Sequence, residues 1–254
     1  MAKRAPLSPR TRALLGIGGT ACTLALWWIF SAAASGHPML SSFVPDQLPG
    51  AFASMLERGV LLEDIALSLW RLIAGVGIAA LIGIPLGLWL GFSSRAQAAA
   101  APSVQFLRMV SPLSWAPIAV VLFGVGSAPV IFLVTLAAVW PLVLSVISGV
   151  HSMDPLYAQL AQTLGASRWE ALRRVLLPAL TPSILAGLRL ALGIGWVIIV
   201  PAEMLGVSSG LGYEILNARD RLAYDEMLVS IVVIGLLGIV LDAAAQRMLR
   251  SRAG

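Results

Sequence analysis

The chain has 254 residues, of which 59% are hydrophobic and only 11% are charged, and its net charge is +5. Ordinary soluble domains carry about 25% charged residues, so this composition excludes a soluble domain and indicates a membrane protein. Lys3 is the only lysine, which excludes a Gly-Lys phosphate-binding loop. His37 and His151 are too far apart for a paired-histidine zinc helix, and Cys22 is the only cysteine, so neither a metal site nor an internal disulfide is predicted.

Six apolar runs are long enough to cross a bilayer core of about 30 Å as helices. In chain order they cover residues 13–34, 65–91, 98–125, 130–150, 183–205 and 227–248. The third run contains Pro102, Pro112 and Pro117, so we expect it to be kinked or interrupted. The predicted fold class is an all-α, polytopic membrane protein with six transmembrane helices, forming a single domain over residues 1–254.

The distribution of basic residues predicts the orientation of these spans. With both termini on the inner side, eleven of the seventeen basic residues lie inside, three lie outside (Arg58, Arg219 and Arg221), and three lie within spans. Because short cytoplasmic loops carry an excess of Lys and Arg, both termini are predicted to be cytoplasmic. The basic character is then explained by topology, and nucleic acid is not expected as a partner.

The first apolar run has a second interpretation. A basic stretch, an apolar run and Ala32-Ala33-Ala34 also resemble a cleavable signal peptide. The run is about 22 residues long, which exceeds the usual apolar core of a signal peptide, so we expect this span to be retained.

Residues 151–182 form the most informative segment outside the lipid. Gly165 separates two short stretches of helical periodicity, and Ser167 with Glu170 has the spacing of a capping box. The apolar stripes of the two stretches are Leu156, Leu160 and Leu164, and Trp169, Leu172 and Leu176. This cytoplasmic segment either folds against the inner ends of its own spans or provides a docking surface for a soluble partner.

The same segment resembles a known signature. Gln159-Leu160-Ala161, Gly165, Val175 and Leu177-Pro178 have the spacing of the cytoplasmic motif in permeases of ATP-binding-cassette (ABC) importers, with Gln159 in place of its glutamate and Leu160 in place of its first alanine. Residues 111–117 and 122–126 are similar to the third-span signature of the nitrate/sulfonate/taurine branch. Residues 202–206, 209–213 and 217–219 resemble aliphatic sulfonate permeases most closely.

This resemblance implies a type I ABC importer permease fold and a bacterial inner-membrane location. It also implies a second permease copy, two cytoplasmic ATPase subunits and an extracytoplasmic substrate-binding protein as partners. ATP is then bound by the ATPase subunits, and the chain itself has no cofactor and is not an enzyme. The implied coupling-helix segment is 151–182. The residues expected at the ATPase contact are Gln159, Leu160, Ala161, Thr163, Leu164, Gly165, Ala166, Arg168 and Trp169.

Four residues are candidates for the translocation pathway: Arg108, Trp115, Trp140 and Glu203. Arg108 lies near mid-depth of its run, where packing or snorkelling is the alternative to anion contact. The two tryptophans lie beside proline-broken backbone. Glu203 has two interpretations, because an acidic residue inside a span marks either a pathway or an ion pair. We favour the ion pair, with Arg71 at the matching depth. Gly83, Gly87 and Gly91 allow close helix approach, either between two subunits or within one.

The function implied by the resemblance is ATP-driven import of a small organic or inorganic anion of the aliphatic sulfonate, taurine or nitrate class. One alternative is a self-sufficient secondary anion transporter, although the sequence shows neither paired repeats nor coupled carboxylates within its spans. A membrane-embedded enzyme is the other alternative, and the sequence offers it no nucleophile–base pair.

Overall fold

The computed structural model describes residues 8–33, 45–163 and 165–251, and every regular element in these ranges is helical. The all-α prediction is confirmed. The helices are α1 (Pro9–Ala33), α2 (Leu48–Glu57), α3 (Val60–Phe92), α4 (Ser94–Met109), α5 (Ala116–Phe123), α6 (Ser127–Ser152), α7 (Leu156–Thr163), α8 (Arg168–Ala171), α9 (Leu177–Gly206), α10 (Leu211–Asp220) and α11 (Tyr224–Ser251).

Helix α6 lies at the centre of the bundle, packed between α3 and α9. Its sequence is apolar around most of its circumference, which is typical of a helix buried on several sides. The core side chains that it contributes include Val130, Leu133, Val134, Ala138, Leu142, Val143 and Val146. Helices α3 and α9 also contact each other, so these three helices form the centre to which the other elements attach.

The glycines of α3 face this centre. A Cβ atom built on Gly87 would lie 2.7 Å from Val146 Cβ, and one on Gly91 would lie 2.9 Å from Val150 Cβ. Gly83 faces the carbonyl of Val139 at 3.3 Å by the same measure. These glycines therefore permit close packing of α3 against α6 within one subunit. The alternative of a contact between subunits has no support at these three positions.

The third apolar run is broken, as its prolines predict. Helices α4 and α5 are bent by 84° at a short break that contains a 3₁₀ turn, Pro112–Trp115. Pro117 lies in the first turn of α5, where a missing N–H costs little, whereas Pro102 is accommodated inside α4.

Four helical stretches in the described part of the chain are long and apolar enough to cross a membrane, and the bent pair brings the number to five. They are Val60–Phe92, Ser127–Ser152, Trp169–Gly206 and Tyr224–Arg247, with the pair Ser94–Met109 and Pro112–Phe123. Helix α1 covers most of the expected first span. The count of six and the cytoplasmic termini stay predictions.

Two of the three arginines predicted to be outside meet at one end of the bundle. Arg58 and Arg221 both bind the carboxylate of Glu226, at 2.5 and 2.8 Å. Arg221 also binds Glu214 at 2.7 Å. These contacts join the start of α3, the end of α10 and the start of α11, so these three helix ends lie on the same side, as the predicted topology requires.

Candidate functional site

The segment around Gly165 forms an exposed helix–turn–helix, which we call the α7–α8 arm (residues 154–163 and 165–171). Asp154 lies just before α7 and caps its start, because its Oδ1 accepts a hydrogen bond from the Leu156 amide at 2.9 Å. Gly165 has φ +71°, and a Cβ atom built on it would meet nothing within 4 Å. Glycine is therefore favoured here by the left-handed backbone and not by lack of space.

The capping box expected at the start of α8 is present. The Glu170 amide donates to Ser167 Oγ at 3.3 Å, and Ser167 donates both its amide, at 3.1 Å, and its hydroxyl, at 2.8 Å, to Glu170 Oε2. This reciprocal arrangement satisfies amides at the helix start that have no partner within the helix. The hydrogen bonds between Ser167 and Glu170 thus define where α8 begins after the Gly165 turn.

Large apolar side chains of the arm are open to the surroundings. Trp169 is 66% exposed and Leu160 is 50% exposed. Leu156 and Tyr157 are exposed as well. Of the other residues expected at the ATPase contact, Gln159 and Thr163 are exposed and Ala166 is half-buried. Ala161 lies in α7 and Arg168 is the first residue of α8. Leu164 lies outside the described residues. Such an exposed apolar set favours a docking surface over a loop folded against its own spans.

The second short helix is continuous with the fifth span, whose apolar run covers residues 183–205. Helix α8 continues through a π-helical turn, Leu172–Leu176, into α9. In this turn the Leu177 amide bonds to the carbonyl of Leu172, five residues earlier. The wider turn accommodates Pro178, whose ring would clash with a carbonyl in a regular helix interior. The arm and the fifth span are therefore one continuous helical stretch.

A buried ion pair lies at the opposite end of α9. Arg71 Nη1 donates to Glu203 Oε1 at 2.7 Å, and their side chains are 2% and 0% exposed. Arg71 also donates to the Ser209 carbonyl and hydroxyl, both at 2.8 Å, and to Ser127 Oγ at 3.0 Å. The expected pairing of Glu203 with Arg71 is confirmed, and it joins α3, α6, α9 and the loop after α9.

The same cluster anchors the start of α10. Three successive amides at this helix start donate to side chains from α3 and α9: Gly210 to Asp64 at 2.6 Å, Leu211 to Ser68 at 3.0 Å, and Gly212 to Glu203 at 2.9 Å. Free amides at a helix start carry partial positive charge, so two carboxylates stabilise it.

The sequence interpretation missed Asp64, Ser68 and Ser127. A signal was available for two of them, because Asp64, Ser68 and Arg71 recur at i, i+4 and i+7 on an otherwise apolar helix and so share one face. Ser127 gave no comparable signal, since it is a lone hydroxyl at the start of α6.

The other three pathway candidates lie apart from this cluster. Arg108 is exposed on α4 and donates to Gln105 at 3.0 Å. Trp115 is half-buried in the 3₁₀ turn between α4 and α5, and Trp140 is half-buried on α6. Among the described residues, no hydrogen bond joins any of them to Glu203.

A helical bundle with several apolar spans and an exposed helix–turn–helix arm is the architecture of a multi-pass membrane protein. The chain belongs to the family described as binding-protein-dependent transport system inner membrane component, which matches residues 83–252. Its relatives place it among ABC transporter permeases of the nitrate/sulfonate/taurine branch.

Three curated relatives support this placement. The taurine transport system permease protein TauC of Escherichia coli is 33% identical, covering 97% of this chain and 90% of TauC. The bicarbonate transport system permease protein CmpB of Synechococcus elongatus is 34% identical, covering 90% and 85%. The nitrate import permease protein NrtB of Leptolyngbya laminosa is 37% identical, covering 72% and 66%.

The fold is also found in a solved structure. An inward-facing structure of the MetNI methionine ABC transporter matches with a TM-score of 0.68 and 17% identity, covering 77% of this chain and 97% of that chain. The fold is thus that of a type I ABC importer permease.

Proposed function

We propose that this chain is the membrane-spanning subunit of an ATP-driven importer that moves a small anion of the sulfonate, taurine or nitrate class into the cytoplasm. The anion class is supported by the names of the relatives, since taurine carries a sulfonate and bicarbonate and nitrate are anions. The location is the bacterial inner membrane. The working assembly contains a second permease copy, two ATPase subunits and an extracytoplasmic substrate-binding protein.

The observation that carries this proposal is the exposed α7–α8 arm and its continuity with α9. Trp169 and Leu160 provide apolar anchors, and the Gly165 turn holds the two short helices in a fixed arrangement. A groove on an ATPase subunit binds these helices by covering the apolar side chains, as grooves commonly bind amphipathic helices. The ATPase contact comprises the nine residues predicted between Gln159 and Trp169.

Coupling then follows from the helical continuity. When the two ATPase subunits close on ATP, they move the arm, and α8 transmits the movement to α9 through the π-helical turn. ATP shifts the permease between inward-open and outward-open states only if the arm contacts differ in the two states. A rigid helix that begins in the docking surface and ends at Glu203 can carry such a difference across the membrane.

The Arg71–Glu203 cluster is a structural tie in this scheme. Both charges are buried and fully engaged by protein groups, so neither is free to contact a passing anion. The cluster keeps the outer end of α9 attached to α3 and α10 while the inner end moves. Arg108, Trp115 and Trp140 remain the pathway candidates among the residues singled out from sequence.

Reconstitution tests the function directly. The permease is expressed with its co-encoded ATPase and binding protein, purified, and placed in proteoliposomes containing ATP. Uptake of taurine, bicarbonate and nitrate is measured with and without nucleotide. We expect uptake of at least one of these three solutes, only with ATP, and co-purification of the ATPase. Uptake without nucleotide would support the secondary transporter instead.

A further inference from the structure

A second ion pair lies on the exposed sides of α9 and α11. Arg189 Nε donates to Asp242 Oδ1 at 2.8 Å, and Arg189 Nη2 donates to Asp242 Oδ2 at 3.2 Å. The two side chains remain 39% and 51% exposed. Asp242 also accepts a hydrogen bond from Gln246 at 2.8 Å. This pair belongs neither to the α7–α8 arm nor to the Arg71–Glu203 cluster.

The position of this pair requires an explanation, because both residues lie within apolar spans. Arg189 is about 26 Å along the helix from Gly206, so it lies towards the far end of a hydrocarbon core of about 30 Å that begins near Gly206. Charged groups within spans usually pair with one another and face a bundle interior or a water-filled cavity. An exposed side that faces water or protein in the assembled transporter would satisfy both conditions.

The pair opens onto a groove of about 710 Å³, within the usual range for small-molecule sites. We call it the α9 groove. Its walls are apolar side chains of α9, including Leu190, Ile194 and Val197, apart from the ion pair. A Cβ atom built on Gly193 would meet nothing within 4 Å, which shows that the groove is open at that position.

The guanidinium of Arg189 has unused donors. Nε and Nη2 bind Asp242, and Nη1 makes no hydrogen bond among the described residues. Arginine presents five N–H donors in a planar fork, so one edge can hold a carboxylate while the other binds a second anion. Because Asp242 offsets the positive charge, an anion that accepts a hydrogen bond from Nη1 is held less tightly than by an unpaired arginine and can leave again.

We propose that the α9 groove is part of the anion route and that Arg189 contacts the transported anion through Nη1, with Asp242 as its permanent counter-charge. The proposal rests on the proposed function, because it assigns a binding residue to that transport. It explains why a charged pair is left exposed on two spans whose other groove-facing side chains are apolar. It also places the contact where the long helix from the α7–α8 arm can move it.

The first test compares substitutions at the pair in the uptake assay described above. We expect Arg189→Gln to lower uptake at limiting anion about tenfold or more, since a charge-assisted hydrogen bond contributes about 1.5–3 kcal/mol. Arg189→Lys retains a positive charge and should recover part of the loss. The double variant Arg189→Gln with Asp242→Asn should remain as slow as Arg189→Gln, because the anion contact is still missing.

Recovery of wild-type uptake by the double variant would overturn the proposal, since it would show that only a balanced ion pair is needed. Wild-type uptake by Arg189→Gln would overturn it as well. Absence of uptake by the wild-type complex is a different result, because it contradicts the proposed function itself. Uptake by the wild type and by Arg189→Gln is also compared in liposomes that contain only lipids with neutral headgroups. If Arg189→Gln is as active as the wild type there, the groove binds anionic lipid and not the transported anion, and the proposal is overturned.

A second test does not depend on how well Arg189→Gln folds. In a Cys22→Ser background, Arg189→Cys is treated with a cationic methanethiosulfonate reagent, which restores a positive charge, or with an anionic one. We expect only the cationic reagent to restore uptake; equal effects of both would contradict the proposal. Gly193→Trp should block uptake by filling the groove, whereas Gly77→Trp, at another open glycine position within a span, should not. Normal uptake by Gly193→Trp would exclude the groove from the route.

Discussion

Arg71 and Glu203 are 132 residues apart in the chain, yet their side chains form an ion pair of 2.7 Å that is closed to solvent and to lipid. The pair links the N-terminal part of α3 to the C-terminal end of α9 and, through Gly212, to the start of α10. Each charge is matched by hydrogen bonds from or to groups on other helices, which is the condition under which a buried ion pair can be tolerated.

We therefore expect Glu203→Gln to destabilise the permease by about 3–5 kcal/mol, because it leaves Arg71 buried without its counter-charge. The thermal unfolding midpoint in detergent, followed by circular dichroism, measures this effect. The matched control is Arg219→Ala, since the Arg219–Asp220 pair is exposed and should contribute less than about 1 kcal/mol. Equal stability losses in the two variants would contradict the structural role of the cluster.

The packing of α3 against α6 predicts a strong effect of one added methyl group. Gly87→Ala places a Cβ 2.7 Å from Val146 Cβ, so we expect a stability loss of about 1–3 kcal/mol from overpacking. Combining it with Val146→Ala should restore part of the loss. Gly77→Ala is the control, because nothing lies within 4 Å of its new Cβ. If Gly87→Ala is as stable as the control, α3 does not pack against α6 as closely as the structure shows.

The backbone at Gly165 predicts a graded series of variants. Gly165→Asn should retain ATPase association, because asparagine tolerates the left-handed region better than other side chains. Gly165→Pro cannot adopt φ +71° and should abolish association while leaving membrane insertion intact. Co-purification of a tagged ATPase with each variant measures the outcome. Normal co-purification with Gly165→Pro would refute the docking role of the turn.

The exposed tryptophan of the arm provides a further prediction. Trp169→Ala should lower ATPase association at least tenfold, because buried tryptophans are frequent energetic centres of interfaces, and it should leave the stability of the free permease unchanged. Trp89→Ala is the matched control, since Trp89 is 63% exposed on α3 and Trp169 is 66% exposed. A titration of fluorescent ATPase into permease nanodiscs compares the affinities. Equal affinities would remove Trp169 from the contact.

Features that depend on neighbours along the chain could be predicted before the fold was known. The apolar runs, the break near Pro112, the left-handed turn at Gly165 and the capping box of Ser167 and Glu170 all follow from local composition and spacing. The wider turn before Pro178 did not follow, because a proline is equally compatible with a helix end and with a π-helical turn.

Contacts between groups that are distant in the chain could not be predicted in this way, because they depend on how the helices pack. Arg71 could be matched to Glu203 by depth, but the recruitment of Ser68, Ser127 and the α10 amides depends on how four elements pack. The glycines of α3 were compatible with a contact between subunits or with one inside the subunit. Their close approach to α6, as at Gly87 and Val146, shows that they pack inside the subunit. Helical periodicity fixes the face of a helix on which a residue lies, whereas the partner opposite that face is set by long-range packing.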